Sequence, residues 1–381
     1  MLTLGLMCVS LTPAPPTHYR AAWKATDGFP DERFCSFDLE NYRGMKNDMA
    51  RTSVYEEALR RALSRNDEMT VLDIGTGPEA LLALIAARAG AKKVYAIEAS
   101  APVAELARKA VEAAGYSEVV EIFTGFSTDV SLPEKADLLV AEIVGSVASD
   151  EGIYATMHDA QQRHLKSPHD PRSYIPRAVE TWCAPMCYAL HHPALAPADF
   201  DWETVRRDGP PPRFACSYGA VQPLARPMML ERIRFGCGDA GLPAPGSRLV
   251  HRMDFEISAD RMWEADGACQ AALAHAECPP ELTARISGEV ASTVSGIGMW
   301  PRLLLGDDGD HSLCIESRRT DGRPRSSHWQ IAMPLLCATP QRVRAGEKIR
   351  VDAKIDLGSR VDVPNAYELE VEFDTHTPDV R

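Results

Sequence analysis

Alternating strand-like and helix-like segments between residues 70 and 142 constrain the fold of this chain more than any other feature of its sequence. Four short apolar runs are separated by a Gly-rich turn and by segments of helical periodicity. The runs are Thr70–Ile74, Lys93–Ile97, Val119–Phe123 and Asp137–Ala141, and a helical pattern over Met49–Ala62 precedes them. Strands that alternate with helices at this period form a parallel, doubly wound sheet. The sequence therefore predicts an α/β fold whose ligand site lies beyond the carboxyl ends of the strands.

A change of pattern at Ile175-Pro176 predicts a second domain. From there onward, β-type runs are separated by Gly and Pro, and long helical periods are scarce. The runs are Val179–Trp182, Leu230–Phe235, Val250–Ile257, Ala284–Val294, His328–Leu335, Ile349–Leu357 and Tyr367–Phe373. This pattern is typical of a mostly antiparallel β domain. We therefore divide the chain into a lead-in of residues 1–30, an α/β domain of residues 31–175 and a β domain of residues 176–381.

Charge and composition exclude several classes of partner. The net charge is −13 and Lys/Arg runs are absent, which argues against a nucleic-acid substrate. An acidic surface suits a cationic partner, although solubility alone explains it equally well. No apolar run is long enough to span a membrane, and the N-terminal run lacks the basic start of a signal peptide. The ten cysteines are scattered, and no second close pair joins Cys183 and Cys187, so we expect no metal site and a cytoplasmic protein with reduced thiols.

The turn after the first predicted strand has the composition of a nucleotide-binding loop. Asp73-Ile74-Gly75-Thr76-Gly77 follows the strand and opens a helix, where glycines let the backbone approach a ligand closely. Glu98 ends the next strand, at a position that suits two ribose hydroxyls. These features predict a nucleoside cofactor, but the loop alone does not distinguish a nicotinamide dinucleotide from S-adenosyl-L-methionine.

Two glutamates follow the fourth predicted strand. Glu142 ends that strand and Glu151 lies nine positions later, at the other end of a short loop. Two carboxylates presented by one loop can bind a planar guanidinium, whose forked donors pair with carboxylates bidentately. On the residues alone, the alternative that Glu142 caps a helix and Glu151 faces solvent stays open.

The order of these motifs resembles the protein arginine methyltransferase family, over nearly all of the chain past its first thirty residues. The matching segments are M-x-x-D-x-x-R-T-x-x-Y from Met45 to Tyr55, VLDIGTG, AGAKKVYAIEAS, the double-Glu loop, Tyr174-Ile175-Pro176 at the domain junction and Ser327-His328-Trp329. The resemblance implies a Rossmann-like, S-adenosyl-L-methionine-dependent methyltransferase domain followed by a β-barrel-like domain for substrate binding and dimerisation. It also implies a homodimer, with the dimerisation arm at Pro193–Arg213.

The resemblance implies a role for each residue of the cofactor site. The residues concerned are Arg51, Asp73, Gly75, Gly77, Glu98, Ser127 and Thr128. Arg51 would pair with the methionine carboxylate, and Glu98 would bind the ribose hydroxyls. Asp73, Gly75 and Gly77 would line the methionine and ribose, with Ser127 and Thr128 bordering the adenine.

The acceptor site implied by the resemblance combines both predicted domains. Glu142 and Glu151 would bind and orient a guanidine, with Glu142 as the anchor and Glu151 as the proton acceptor. His328 would sit behind them, either relaying the proton or holding a helix in place. Trp329 would form the pocket wall, and Met45 would limit the space at the reacting centre.

The implied reaction is methylation of the guanidino nitrogen of arginine, either as free L-arginine or within a protein. GTG and the FSTDV run at residues 126–130 resemble the monomethylating, type III branch most closely, which implies N-omega-monomethylarginine as the product. A non-catalytic partner subunit of an active methyltransferase is the alternative.

The chain departs from the family pattern at three places, of which the altered glycine-rich loop favours the non-catalytic alternative. The glycine-rich loop continues as Pro78-Glu79-Ala80 without a third glycine. Upstream of the Met, Phe34, Phe37 and Tyr42 only approximate the usual aromatic pair and His. The double-Glu loop lacks the usual Trp-Met-Gly, so we expect a remodelled acceptor pocket.

Overall fold

A five-stranded parallel sheet forms the first half of the chain, and antiparallel sheets form the second. The computed structural model describes residues 17–25, 39–66, 68–196, 200–207, 210–237, 242–319, 322 and 325–374. The N-terminal run of residues 1–16, Phe34 and Phe37 lie outside the described residues. Among the described helices, none has the length and apolar character needed to cross a membrane.

The elements of the first half follow the predicted alternation. In chain order they are β1 (His18–Lys24), α1 (Leu39–Asn47), α2 (Met49–Leu63), β2 (Thr70–Ile74), α3 (Leu81–Arg88), β3 (Lys93–Glu98), α4 (Ala101–Ala114), β4 (Val120–Thr124), β5 (Leu138–Ala141), α5 (Ile153–Arg163), a 3-10 helix at Pro171–Ser173 and β6 (Tyr174–Ile175). The four predicted strands are observed as β2 to β5, each within one residue of its predicted ends.

The strand order of the parallel sheet is β4-β3-β2-β5-β6. The chain moves outward from β2 to β4 and then crosses back to β5, so the order reverses between β2 and β5. Ligands of open α/β sheets bind in the crevice at such a reversal, beyond the carboxyl ends of the strands. Every residue of β2 and β5 is buried, which explains why β5 is wholly apolar and β2 is apolar except for Thr70 and Asp73.

The strands of the second half pair antiparallel, and within the described residues three α-helices are inserted among them. Its elements are β7 (Ala178–Tyr188), a 3-10 helix at Ala189–His191, α6 (Trp202–Arg207), β8 (Arg213–Ala215), β9 (Val221–Pro223), β10 (Met228–Arg234), β11 (Arg248–Glu256), α7 (Ala259–His275), α8 (Pro280–Val290), β12 (Thr293–Val294), β13 (Gly296–Leu304), a 3-10 helix at His311–Leu313, β14 (Cys314–Glu316), β15 (Gln330–Ala332), β16 (Gln341–Arg342), β17 (Lys348–Asp356) and β18 (Ala366–Asp374). The main sheets are β1-β18-β17-β11 and β10-β7-β13-β15-β8, and they curl into half a barrel.

The predicted strand at Ala284–Val294 is wrong. This segment belongs mostly to α8, and only Thr293 and Val294 are extended. Its β-branched residues suggested a strand, but Thr283, Ile286 and Val290 recur at helical spacing and are buried together. The preceding α7 was also missed, because its buried stripe consists mainly of small residues with little periodic contrast.

The N-terminal boundary also differs from the expected lead-in of residues 1–30. Strand β1 pairs antiparallel with β18 along its whole length, from His18 opposite Glu372 to Lys24 opposite Ala366. Trp23 stacks on Tyr367 with ring centroids 5.2 Å apart. This stretch therefore completes the second half of the fold, although it precedes the first half in sequence.

The two halves meet near the predicted junction. The last parallel strand ends at Ile175 and the first antiparallel strand begins at Ala178, with a cis peptide bond between Ile175 and Pro176.

Candidate active site

Asp73 braces the glycine-rich loop from the end of β2. Its side chain is fully buried, and its Oδ2 accepts hydrogen bonds from Thr76 Oγ1 at 2.6 Å and Ala83 N at 3.1 Å. Burial raises the pKa of Asp73 to about 7, although these two hydrogen bonds oppose the shift. The second oxygen, Oδ1, is buried without a hydrogen-bond partner. A buried acceptor left open at a strand end fits a site whose ligand completes the bonding.

The two predicted glycines occupy backbone conformations that other residues rarely adopt. Gly75 has φ +78° and Gly77 has φ +68°. A Cβ atom at Gly75 would lie 2.8 Å from Ile143 Cγ2, so a side chain there would collide with the start of the double-Glu loop. Ala80 stands where a third glycine was expected and adopts φ +45°, which is strained for a residue with a Cβ atom. The loop thus keeps its left-handed turn despite the missing glycine.

Glu98 connects the end of β3 to the same loop. Its side chain is buried, and its carboxylate accepts hydrogen bonds from Gly77 N at 3.0 Å and Ser100 N at 2.9 Å. Burial raises the pKa of Glu98, and these backbone bonds oppose the rise. Each carboxylate oxygen has two lone pairs, so both oxygens can still accept from a ligand hydroxyl.

The loop after β4 carries Ser127 and Thr128. Ser127 is buried, and its backbone oxygen contacts His164 Nε2 at 2.9 Å and accepts a bond from the Arg163 guanidinium. Thr128 is half-buried beside it. Helix α5 therefore fixes the predicted adenine-side loop through its last turn.

Helix α2 presents Arg51 to the end of β5. The Arg51 guanidinium forms an ion pair with Glu142, and the exposed fractions of the two side chains are 5% and 8%. Tyr55, one turn further along the helix, donates a hydrogen bond to Ala141 O at 3.1 Å. The structure thus brings together two residues that the resemblance assigned to different ligands, a cofactor carboxylate for Arg51 and an acceptor guanidine for Glu142. Arg51 Nε is buried without a partner and remains available to a ligand.

Glu151 lies half-buried just before α5 and ends the loop that begins at Glu142. The second half of the fold contacts this loop directly. Trp329 Nε1 donates a hydrogen bond to Val144 O at 2.6 Å, so the indole lies against the loop. Predicted residues of both domains therefore meet around the double-Glu loop.

His328 contacts the N-terminal cap of α2. Asp48 accepts a hydrogen bond from Arg51 N at 3.0 Å, and its Oδ2 lies 2.9 Å from His328 Nδ1. Burial alone would raise the pKa of Asp48, but hydrogen bonds from His328 and Arg51 outweigh it and lower this pKa to about 2. The ring of His328 lies 4.0 Å from that of Trp329, centroid to centroid. His328 is therefore placed to hold the helix that carries Arg51.

Helix α1 covers the glycine-rich loop. The Tyr42 ring is close to Gly77, since a Cβ atom there would lie 3.3 Å from Tyr42 Cε1. Lys46 Nζ donates to Glu79 Oε1 at 2.8 Å, which connects the helix to the altered part of the loop. Met45 is half-buried at the end of α1, and its backbone oxygen accepts from Asp48 N at 3.2 Å.

Sequence reasoning missed the interior contacts of the double-Glu loop. Arg213 donates to Ser146 Oγ at 2.9 Å and lies 3.4 Å from Asp150 Oδ2. Ser146 and Asp150 are almost fully buried, so Arg213 of the second half holds the interior of the loop through a hydrogen bond and an ion pair. The only signal in the sequence was the presence of three polar residues, Ser146, Ser149 and Asp150, in a loop otherwise made of small or apolar residues.

The residues present fit S-adenosyl-L-methionine. Glu98 can bind vicinal hydroxyls, Asp73 Oδ1 is an open acceptor, and Arg51 is a buried cation suited to a carboxylate. Within the part of the chain that the structure describes, no group of three His, Cys, Asp or Glu side chains could hold a metal ion.

The part of the chain that carries this site is similar in sequence to known methyltransferases. The family model described as ribosomal protein L11 methyltransferase (PrmA) matches residues 52–155. Protein arginine N-methyltransferase PRMT10 of Arabidopsis thaliana is 35% identical over 155 residues, which cover 40% of this chain and 39% of that protein. Protein arginine N-methyltransferase 7 of Drosophila grimshawi is 39% identical over 129 residues, 32% of this chain and 18% of that protein. The matches thus span about two fifths or less of these relatives.

Two solved structures share the fold over most of the chain. The crystal structure of Arabidopsis thaliana protein arginine methyltransferase 10 aligns with a TM-score of 0.58 and 18% identity, covering 89% of this chain and 98% of that one. The Trypanosoma brucei PRMT1 enzyme-prozyme heterotetrameric complex with AdoHcy aligns with a TM-score of 0.55 and 18% identity, covering 82% and 87%. They confirm the predicted fold class, a Rossmann-like methyltransferase domain followed by an antiparallel β-barrel-like domain. Together, the motifs, the relatives and the fold confirm the resemblance of this chain to the protein arginine methyltransferase family.

Proposed function

We propose that this protein transfers a methyl group from S-adenosyl-L-methionine to a guanidino nitrogen of arginine. The observation that carries the proposal is the buried contact of Arg51 with Glu142 at the carboxyl edge of the parallel sheet. Glu142 already pairs with one guanidinium, that of Arg51, so its carboxylate is suited to bind the guanidinium of an acceptor. The relatives named protein arginine N-methyltransferases support the same reaction.

The cofactor would lie across the ends of β2 and β3. Glu98 would accept hydrogen bonds from the ribose hydroxyls, and the open Oδ1 of Asp73 would face the ribose and methionine part. Gly75 and Gly77 keep the loop free of side chains, so the backbone can approach the ligand. Arg51 would pair with the methionine carboxylate. When bound, the cofactor supplies an electrophilic methyl group on a positively charged sulfur.

Ser127 and Thr128 complete the proposed cofactor site on the adenine side. Their loop is fixed by the bonds from α5 to Ser127 O. The predicted contact with adenine would need little rearrangement of this backbone, because it is already held in place.

The acceptor guanidinium would bind between Glu142 and Glu151. Its delocalised charge makes it a poor nucleophile, and two carboxylates can localise that charge away from the attacking nitrogen. This nitrogen must approach the methyl carbon to about 3–3.5 Å, and it forms the new bond as the carbon–sulfur bond breaks and sulfur keeps the electron pair. The proton of the methylated nitrogen then passes to Glu151 and on to solvent.

Trp329 and His328, both in the second half of the fold, would support the acceptor site from the other side of the double-Glu loop. Trp329 would wall the pocket through its bond to Val144 O. His328 would hold α2, and with it Arg51, through Asp48. This assignment selects the helix-holding role of His328 over a proton relay, because its observed partner is the helix cap.

Both the acceptor and the product can be proposed more narrowly. The names of the relatives favour an arginine within a polypeptide, with free L-arginine as the alternative. We propose monomethylarginine as the product, because Met45 lies half-buried beside the α2 cap and the GTG and FSTDV segments resemble the monomethylating branch. Steric exclusion of a second methyl group is worth only about 1–3 kcal/mol, so the product is a preference rather than an absolute limit.

A homodimer would use the segment of residues 193–213 as its arm. Within the described part of that segment, Phe200 is 46% exposed and contacts Trp202, with ring centroids 4.5 Å apart. Trp202 in turn packs against Tyr188 at 5.8 Å, so the exposed ring is presented on a supported surface.

A cytoplasmic location stays a prediction from the scattered cysteines.

Mass spectrometry of the reaction products tests the proposal. The protein is incubated with S-adenosyl-L-methionine and either free L-arginine or an arginine-rich peptide, with Glu151→Gln as the control. We expect one methyl group on the guanidino nitrogen of the peptide. Methylated free arginine alone would reverse the acceptor assignment, and mainly dimethylated product would overturn the monomethyl assignment. Cofactor binding without any methyl transfer would favour the non-catalytic partner.

A further inference from the structure

Glu231 is a buried carboxylate in contact with the double-Glu loop. It lies on β10 and is 1% exposed. Its oxygens accept hydrogen bonds from Thr181 Oγ1 at 2.7 Å, from Ser149 Oγ at 2.9 and 3.0 Å, and from Ser149 N at 3.3 Å. These donors are neutral, so the carboxylate is enclosed by hydroxyl and amide groups rather than by a cation. Burying a carboxylate among neutral donors costs free energy, and carboxylates buried in this way are often found at functional sites.

The contacts of Glu231 concentrate on the residues just before Glu151. Ser149 is two positions from Glu151 and is fully buried. Its neighbour Ala148 donates a backbone hydrogen bond to Thr181 Oγ1 at 2.8 Å. Because Thr181 donates in turn to Glu231, the carboxylate fixes two consecutive loop residues, one directly and one through a hydroxyl.

Tyr367 on β18 and Asn365 just before this strand also contact Ser149. Ser149 Oγ lies 2.8 Å from Tyr367 Oη, and Asn365 Nδ2 donates to Ser149 O at 2.8 Å. Ser149 therefore has its backbone nitrogen, backbone oxygen and hydroxyl all bonded to the second half of the fold. Such a network, fully satisfied, rigidifies the segment that it holds.

We propose that Glu231 is a positioning residue for Glu151. By anchoring Ser149 and Ala148, it sets where the loop ends and thus the separation of Glu151 from Glu142, which is fixed at the end of β5. The inference rests on the proposed function, since it assigns Glu151 a task at the acceptor guanidine. It also gives the second half of the fold a direct part in arranging the reacting groups.

Three variants and one matched control test the proposal. Glu231→Gln keeps the shape but turns one acceptor into a donor, and Glu231→Leu removes both acceptors. Ser149→Ala removes the loop's hydroxyl with almost no change of volume, and serves if the Glu231 variants fold poorly. The control is Glu180→Gln.

The control removes an equally buried carboxylate from a neighbouring position of the same strand pair. Glu180 is 2% exposed and pairs with Arg232 and Arg302, each at 3.2 Å. These contacts do not involve the loop. Glu180→Gln therefore measures the effect of lost stability alone, because the loop keeps its position in this variant.

The readouts are kcat, KM for the peptide, the affinity for S-adenosyl-L-methionine and hydrogen–deuterium exchange over residues 146–152. A displacement of about 1 Å can cost roughly 10²-fold in rate, so we expect kcat to fall by about that factor in Glu231→Leu and by less in Glu231→Gln. Cofactor affinity stays within about twofold, and exchange of the loop amides rises. Glu180→Gln leaves kcat and loop exchange at wild-type values.

The wild-type rate tests the proposed function, whereas loop exchange tests the anchoring separately. The proposal is overturned if the folded Glu231 and Ser149 variants exchange and turn over like wild type. It is also overturned if Glu180→Gln produces the same loss of kcat, because the effect would then be one of stability.

Discussion

Arg51 and Glu142 form a buried ion pair that joins helix α2 to the end of β5. Neither side chain is more than 8% exposed, so removing one partner would leave the other charge uncompensated, at a cost of about 3–5 kcal/mol. In the proposed reaction the two residues face different ligands, the cofactor carboxylate and the acceptor guanidinium. Arg51 has further donors, among them the unpaired Nε, so it can bind the cofactor carboxylate while it stays in contact with Glu142.

Replacing Glu98 should weaken cofactor binding without changing the choice of acceptor. Glu98→Ala would remove the two charge-assisted hydrogen bonds that we propose it accepts from the ribose, each worth about 1.5–3 kcal/mol. Calorimetry with S-adenosyl-L-methionine measures the loss. Glu121→Ala on the neighbouring strand removes an exposed carboxylate and serves as the control. If both variants bind the cofactor as tightly as wild type, Glu98 has no part in the site.

The Asp48–His328 contact should contribute measurably to the docking of α2. Asp48→Asn keeps a good helix cap but alters the partner of His328, and His328→Ala removes that partner. In a double-mutant cycle followed by urea unfolding, we expect a coupling free energy of about 0.5–3 kcal/mol. Strict additivity of the two substitutions would mean that the contact carries no free energy and that His328 does not hold the helix.

Asp73 should make the cofactor-free protein less stable as the pH rises. Burial raises its pKa from 3.8 to about 7, so the folded state holds a proton that the unfolded state releases. The stabilisation is therefore complete below about pH 4 and is lost as the pH rises to about 7, at up to about 1.4 kcal/mol per pH unit.

The variant Asp73→Asn isolates this effect, because an amide oxygen can still accept from Thr76 and Ala83. We expect the unfolding free energy of wild type minus that of the variant to fall between about pH 4 and pH 7 and then level off. A difference that stays constant over this range would show that Asp73 keeps an ordinary pKa in the folded protein.

The exposed ring of the proposed arm should be needed for dimerisation. Phe200→Asp places a charge on the surface that the arm would offer to a second copy. Light scattering should give a dimer for wild type and a monomer for this variant. Val250→Asp, at another exposed apolar residue, should remain dimeric. A monomeric wild type at micromolar concentration would remove the homodimer from the account.

The sequence predicted the parallel sheet because its buried strands are mostly apolar. It also predicted that Asp73, Glu98 and Glu142 lie at one edge of this sheet, because each lies at or near the carboxyl end of a strand. Strands of this kind carry their signal locally, and their carboxyl ends necessarily share one edge. The type III assignment stays a prediction, since no comparison distinguishes the branches.

The missed features depend on contacts between distant parts of the chain. Strand β1 forms only because β18, at the other end of the described chain, supplies its hydrogen-bond partners. Nothing in the residues around Glu231 indicates that it faces Ser149. The ion pair of Arg51 with Glu142 was also missed, because reasoning from motifs gave each residue a ligand and did not pair them with each other.

The roles of Glu142 and Glu151 carry the central claim, and comparing turnover with cofactor affinity in Glu142→Gln and Glu151→Gln tests it most directly. The amide introduced by Glu142→Gln would keep an oxygen that accepts from Arg51, so S-adenosyl-L-methionine should bind both variants nearly as wild type does. Methyl transfer to the arginine peptide should fall by roughly 10²–10⁴-fold, since an acceptor cation without its carboxylate loses about 3–5 kcal/mol. Methylation at close to the wild-type rate in either variant would contradict the account.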